Sequence, residues 1–148
     1  MTKAARMVPA AAGLTLCLAA LVGCSGGAGA KPPTAQVTVW AKDFKLRLSR
    51  TTWPAGRVSV RFENDGPDTH EMLLFAAPDN SADAMPMRSD GETVDENSPL
   101  LRSVDDEAGT PPGGSRTVTV DLAPGHYVVL CNMSGHYMAG MWQDVTVG

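Results

Sequence analysis

The sequence predicts an all-β sandwich. Apolar and polar residues alternate with a period of two over several short runs, and Gly, Pro and Asn stand at the ends of those runs. That pattern describes half-buried strands joined by turns. About seven such strands in a domain of this size fit two packed sheets around one core.

The runs follow in order. Val37 and Val39, then Phe44, Leu46 and Leu48, alternate with polar neighbours. Trp53-Pro-Ala-Gly56 reads as a turn, and Val58-Ser-Val60-Arg-Phe62 as a clean antiparallel strand ended by Asn64-Asp-Gly-Pro67. Met72-Leu-Leu-Phe75 is apolar without a break, as expected of a strand buried on both faces. Val118-Thr-Val120-Asp-Leu122 alternates again, and Ala123-Pro-Gly125 supplies a turn with Pro and Gly placed as in type II. Tyr127-Val-Val-Leu130 is apolar, and Val145-Thr-Val147 closes the domain.

The segment from Asp79 to Gly109 breaks this rhythm. It carries nine acidic residues against Arg88 and Arg102, together with Met85-Pro-Met87 and Leu100-Leu101. It reads as a long acidic insertion lying over the sandwich, with one short helix or helical turn, its few apolar residues pinning it down. The competing reading is a loop that docks a partner.

The N-terminus reads as an export signal. Lys3 and Arg6 precede an apolar run from Val8 to Val22, too short for a membrane-spanning helix, which needs about 20 apolar residues. Its end, Leu21-Val22-Gly23-Cys24, resembles a bacterial lipobox, which implies cleavage before Cys24 and lipidation of that residue. The expected organisation is therefore a signal over residues 1–23, a flexible Gly- and Pro-rich tether over 24–36, and one domain over 37–148. Several acyl chains on one residue anchor stably to the outer face of the cytoplasmic membrane. Loss of Lys3 and Arg6 leaves 10 basic against 16 acidic residues, a net charge of −6. That balance argues against a nucleic-acid partner. Of the three cysteines, Cys17 and Cys24 belong to the signal region, so Cys131 has no partner for a disulfide within the domain.

Cys131 opens the stretch that carries the chemistry. Cys131-x4-His136-x4-Met141 spaces a thiol, an imidazole and a thioether evenly along one loop between two strands. His70, at the head of the Met72–Phe75 run, adds a second imidazole. Two His, one Cys and a weak axial Met is the ligand composition of a blue-copper electron-transfer site. Gly135 and Gly140 each precede a ligand and free the backbone to turn tightly. Several residues compete or have plainer roles. Cys131 alone reads as a buried core thiol, and its spacing to His136 and Met141 favours the ligand role. His126 competes with His70, but follows the Pro124-Gly125 turn at the far end of its strand from Cys131. Met138 competes with Met141, and loop reach favours Met141. Met72 and Met133 read as packing residues, and Tyr137 and Trp142 as shields of the metal from water.

With His70, Pro124-Gly125-x-Tyr127 and Cys131-x4-His136-x4-Met141 in place, the domain from Val37 to Val147 resembles a cupredoxin. The loop spacing is most similar to the rusticyanin and sulfocyanin branch. The resemblance implies a Greek-key β-sandwich and one copper ion. It implies His70, Cys131 and His136 as equatorial ligands, with Met141 axial. Glu71 stands where several cupredoxins have Asn or Ser, residues that help tie the ligand loops together.

A closed set of four protein ligands leaves no strong open position for a substrate, which metalloenzymes keep. The expected function is therefore electron transfer rather than catalysis. The expected partner is a respiratory complex, cytochrome, oxidase or reductase, met briefly by a monomer through a small patch at Met138, Ala139 and Gly140. Copper trafficking or storage is the alternative, suggested by Met85-Pro-Met87. A red-copper catalytic site with Glu71 at the metal is the third reading.

Overall fold

The computed structural model describes residues 36–76, 85–105 and 109–148. The export signal, Cys24 and most of the tether lie outside the described residues. Among the described residues there are nine strands: β1 (Val37–Lys42), β2 (Lys45–Leu48), β3 (Thr52–Trp53), β4 (Gly56–Asn64), β5 (Leu73–Ala76), β6 (Arg102–Asp105), β7 (Ser115–Leu122), β8 (Gly125–Leu130) and β9 (Trp142–Val147). They form two sheets, ordered β2-β1-β4-β7 and β3-β9-β8-β5-β6. The architecture is a Greek-key β-sandwich, as the sequence predicts, and no helix occurs among the described residues.

Not every pairing is antiparallel. β1 lies parallel to β4, with Val37 opposite Val60 and Val39 opposite Phe62, and β3 lies parallel to β9. The chain changes sheet after β2, β3, β4, β6 and β7, so of the strands that follow one another only β1–β2, β5–β6 and β8–β9 pair. Trp53 belongs to β3 rather than to a turn, and its ring is fully buried while its Nε1 donates to Arg50 O at 2.9 Å.

The two sheets differ in burial, and this explains the two kinds of apolar run. Val39, Ala41, Leu46, Val58, Val60, Phe62, Val120 and Leu122 of the first sheet point into the space between sheets, facing Trp53, Leu74, Tyr127, Val129, Val145 and Val147. The other face of the first sheet meets water, so its strands alternate. The second sheet is covered on both sides. Its outer face holds a separate cluster of Leu73, Phe75, Val128 and Leu130, capped by Met85, Val94 and Tyr137. β5 and the Tyr127–Leu130 part of β8 therefore carry apolar residues at every position.

The acidic insertion is that cover. Its described part contains a bridge between Met87 and Val94, then turns, then β6, which pairs antiparallel with β5 at the sheet edge. The expected short helix is not among them. Met85 and Val94 are buried, and Leu101 packs against the same cluster. Successive acidic residues and turns leave few consecutive apolar positions to make a helical face, and a sheet edge is available for pairing instead.

At the turn between sheets, Tyr127 Oη donates to Ala123 O at 3.0 Å. This tyrosine corner accounts for the Pro124-Gly125-x-Tyr127 pattern.

Candidate metal centre

The ligand loop runs from the end of β8 to the start of β9. The Cys131 N–H donates to Met141 O at 3.0 Å, and the Met141 N–H donates to His136 O at 3.0 Å. These bonds close the loop on itself and fix Cys131 and Met141 side by side. Gly135 and Gly140 adopt φ of 77° and 89°, the left-handed backbone expected of them. Cys131 and Met141 are both fully buried and belong to the inter-sheet core.

His70 approaches from the β4–β5 connection. Its N–H donates to Thr110 O at 3.1 Å and its carbonyl accepts the Thr110 N–H at 2.7 Å. Asn64, at the end of β4, stitches this connection with one side chain. Its Nδ2 donates to Asp68 O at 2.7 Å and to Thr110 O at 2.8 Å, and its Oδ1 accepts the Gly66 N–H at 2.9 Å. A Cβ at Gly66 would stand 3.0 Å from His70 Nε2, so that glycine keeps room for the imidazole.

Three donor atoms converge. His70 Nδ1 and His136 Nδ1 are 3.3 Å apart, Cys131 Sγ lies 3.4 Å from His136 Nδ1, and Cys131 Sγ lies 3.9 Å from His70 Nδ1. A triangle with these sides has a point within it about 2.1 Å from every corner, close to the usual length of a metal–nitrogen or metal–thiolate bond. The residues therefore fit a trigonal metal ion. Among the described residues, this is the group of His, Cys and acidic side chains that converges so, and no carboxylate joins it.

The electrostatics agree with that use. Burial holds His70 below the ordinary imidazole range, with His136 adding repulsion, and burial likewise lowers His136. Neutral imidazoles are the form that binds metal. Burial pushes the Cys131 thiol up, partly offset by backbone N–H groups of Glu71 and Met133. The Glu71 N–H donates to Cys131 Sγ at 3.3 Å. The thiolate is thus served by backbone amides, and Asn64 ties the His70 connection where Glu71 lacks the amide side chain.

The competing residues fall elsewhere. His126 pairs with Asp144 at 2.9 Å on the outside of the second sheet. Met138 is 61 % exposed, whereas Met141 has no exposure. Met72 is core and Met133 packs against it. Tyr137 and Trp142 belong to the outer cluster of the second sheet, not to the cluster that holds Cys131 and Met141. Because side chains alternate along β8, that cluster lies on the opposite face of the sheet from Cys131. Tyr137 Oη instead accepts the Met85 N–H at 3.1 Å, which helps hold the insertion. Met85 and Met87 pack in this same cluster, so they are not an exposed thioether pair.

Two residues near the site are not legible as such in the sequence. Asn132, directly after the thiol, is buried and binds the insertion at Val94. Phe44, expected on the inner face of a strand, lies instead in the β1–β2 turn, with its ring edge-on to His136.

Residues 50–148 match the family model of the sulfocyanin (SoxE) domain. The chain belongs to the sulfocyanin family. Sulfocyanin domains are cupredoxins, blue copper proteins that transfer electrons, and the cofactor suited to this His₂CysMet set is copper. Solved structures agree in fold. Dithionite-reduced auracyanin from the photosynthetic bacterium Roseiflexus castenholzii is 20% identical with a TM-score of 0.53, over 75% of this chain and 94% of that one. Rusticyanin from Thiobacillus ferrooxidans is 20% identical with a TM-score of 0.53, over 75% of this chain and 76% of that one. No curated protein matches the sequence.

Proposed function

We propose that this sulfocyanin domain is an electron carrier of the cell envelope, not an enzyme, with His70, Cys131, His136 and Met141 holding one copper ion. The convergence of His70 Nδ1, His136 Nδ1 and Cys131 Sγ on one point carries the reading. Bound copper supplies a one-electron couple between Cu(II) and Cu(I). The chain supplies the rest. Cys131 and Met141 sit in the rigid inter-sheet core, and His70 is stitched through Thr110 and Asn64. Ligands held this firmly change position little between oxidation states, which keeps electron transfer fast. His136 is the partly exposed ligand, followed closely along the loop by exposed Met138, Ala139 and Gly140. A small apolar patch of this kind suits brief docking with a respiratory complex, cytochrome, oxidase or reductase. Lipidation at Cys24 would hold this monomeric carrier at the outer face of the cytoplasmic membrane.

A visible and electron paramagnetic resonance spectrum of the purified Cu(II)-loaded protein tests the site. An intense red-end band with narrow copper hyperfine splitting is expected. A weak band with wide splitting, or rapid loss of copper to a mild chelator, would move the assignment to trafficking. For the anchor, Cys24→Ala should shift the protein from the membrane fraction to the soluble one, and its retention on membranes would sink that part.

A further inference from the structure

The β1–β2 hairpin is closed by two residues, Asp43 and Phe44, with Lys42 and Lys45 paired across its base. Their φ values are 46° and 62°. A two-residue turn of this kind needs positive φ at both positions, and Gly, Asn or Asp is the residue that local preference puts there, which Asp43 satisfies and Phe44 does not. A bulky aromatic in the left-handed region is an outlier. Phe44 is also 43 % exposed, so burial in the core does not offset the strain. Residues that break a local rule twice mark positions where something other than folding is served.

The Phe44 ring meets the His136 imidazole edge-on, with centroids 4.8 Å apart and planes at 83°. This is the favoured T-shaped geometry of aromatic pairs. On another side of the same imidazole lie the His70 ring, at 5.1 Å and 56°, and Cys131 Sγ, at 3.4 Å from Nδ1. Of these three neighbours, Phe44 is the one with no donor atom for a metal. His136 needs such a brace. It follows Gly135 in a left-handed loop, and its side chain is only partly buried.

We infer that Phe44 is a positioning residue for His136: the strained hairpin turn aims its ring at the exposed ligand and holds the imidazole over the metal position. The inference rests on the copper-site reading above. Phe44 acts from the other sheet, so the hairpin and the ligand loop clamp His136 between them. Its ring also keeps water from one side of that ligand, which favours the less charged Cu(I) state.

The test compares the full protein with Phe44→Gly and Phe44→Tyr. Glycine suits the turn, so the metal-free Phe44→Gly protein should melt no lower than the parent. In its nuclear magnetic resonance spectrum, the His136 ring signals should shift and broaden. Loaded with copper, it should release the metal to a chelator at least about threefold faster and show a lower reduction potential. Phe44→Tyr keeps the ring and should restore both. Parent-like ring signals and parent-like copper release in Phe44→Gly would overturn the inference, as would Phe44→Tyr failing to restore them. A lower melting temperature with parent-like release would make Phe44 a structural residue only, and would overturn it too. A parent protein without a blue band would instead refute the copper reading, while the metal-free ring signals would still decide the role of Phe44.

Discussion

Asn132, the residue after the thiol ligand, clasps the peptide of Val94 with both ends of its amide. Its Oδ1 accepts the Val94 N–H at 2.7 Å, and its Nδ2 donates to Val94 O at 3.1 Å. Val94 is fully buried, and the Asn132 Nδ2 also reaches Glu96 Oε1 at 2.6 Å. Ser134 Oγ donates to Glu92, and the Gly135 N–H donates to Glu92 O at 3.3 Å. The acidic insertion is therefore fastened to the ligand loop itself. Asn132→Ala leaves two buried backbone groups of Val94 without partners. Each such group costs about 1–3 kcal/mol, so a loss of roughly 2–6 kcal/mol is expected. Denaturant unfolding would measure it, and hydrogen exchange should show the Val94 amide losing protection. A variant as stable as the parent would mean that the insertion is held by its apolar contacts alone.

Cys131→Ser should abolish the intense visible band, because that absorption needs a copper–thiolate bond. Serine is nearly the same size and should leave the core packed, so the fold should survive, as circular dichroism would show. Retention of the band would place the chromophore on another residue.

Much of the fold follows from local pattern. The alternating runs of the first sheet and the continuous runs around Met72–Phe75 and Tyr127–Leu130 are strands as expected, because burial on one face or two writes itself into the sequence. Residue type and spacing single out four ligand candidates, and the donor atoms of three of them, His70, Cys131 and His136, converge. What was not legible depends on contacts between distant segments. The parallel pairing of β1 with β4 depends on which sheet a strand joins, and alternation is the same either way. Trp53 looked like a turn residue because Pro54 and Gly56 follow it, yet two residues of pairing with β9 suffice to make an edge strand. Phe44 fitted the alternation with Leu46 and Leu48, and only the two-residue hairpin throws it outward. Asn64 reads as a turn residue, since nothing in a single sequence separates an Asn that ends a strand from one that stitches a loop, and the hold of Asn132 on Val94 leaves no mark in the local pattern.

Met141→Leu should keep the blue colour and raise the reduction potential, since loss of an axial donor disfavours Cu(II). Met138→Leu should change neither, because Met138 is directed to solvent. Cyclic voltammetry of both variants separates the two methionines. An unchanged potential in Met141→Leu would mean that its sulfur does not contribute to the site.

The metal-free protein should have its stability maximum between about pH 6.5 and about pH 8.5, the ordinary values of His and Cys. His70 and His136 are held below the imidazole range in the folded state, chiefly by burial. Unfolding then takes up protons below about pH 6.5, so stability falls as the solution is acidified through that region. Cys131 is pushed up, again chiefly by burial. The folded protein holds its thiol proton above about pH 8.5, where the unfolded chain loses it, so stability also falls as pH rises past that value. Copper reverses the second effect. A metal ion must displace the thiol proton, so binding releases it, and affinity should rise about tenfold per pH unit while the thiol remains protonated. Denaturant titrations of the metal-free protein from pH 5 to pH 10 would trace the first curve. Competition with a chelator of known pH dependence would trace the second. Stability that climbed steadily above about pH 9 would show that Cys131 is not a buried thiol. Affinity independent of pH would show that it is not the ligand.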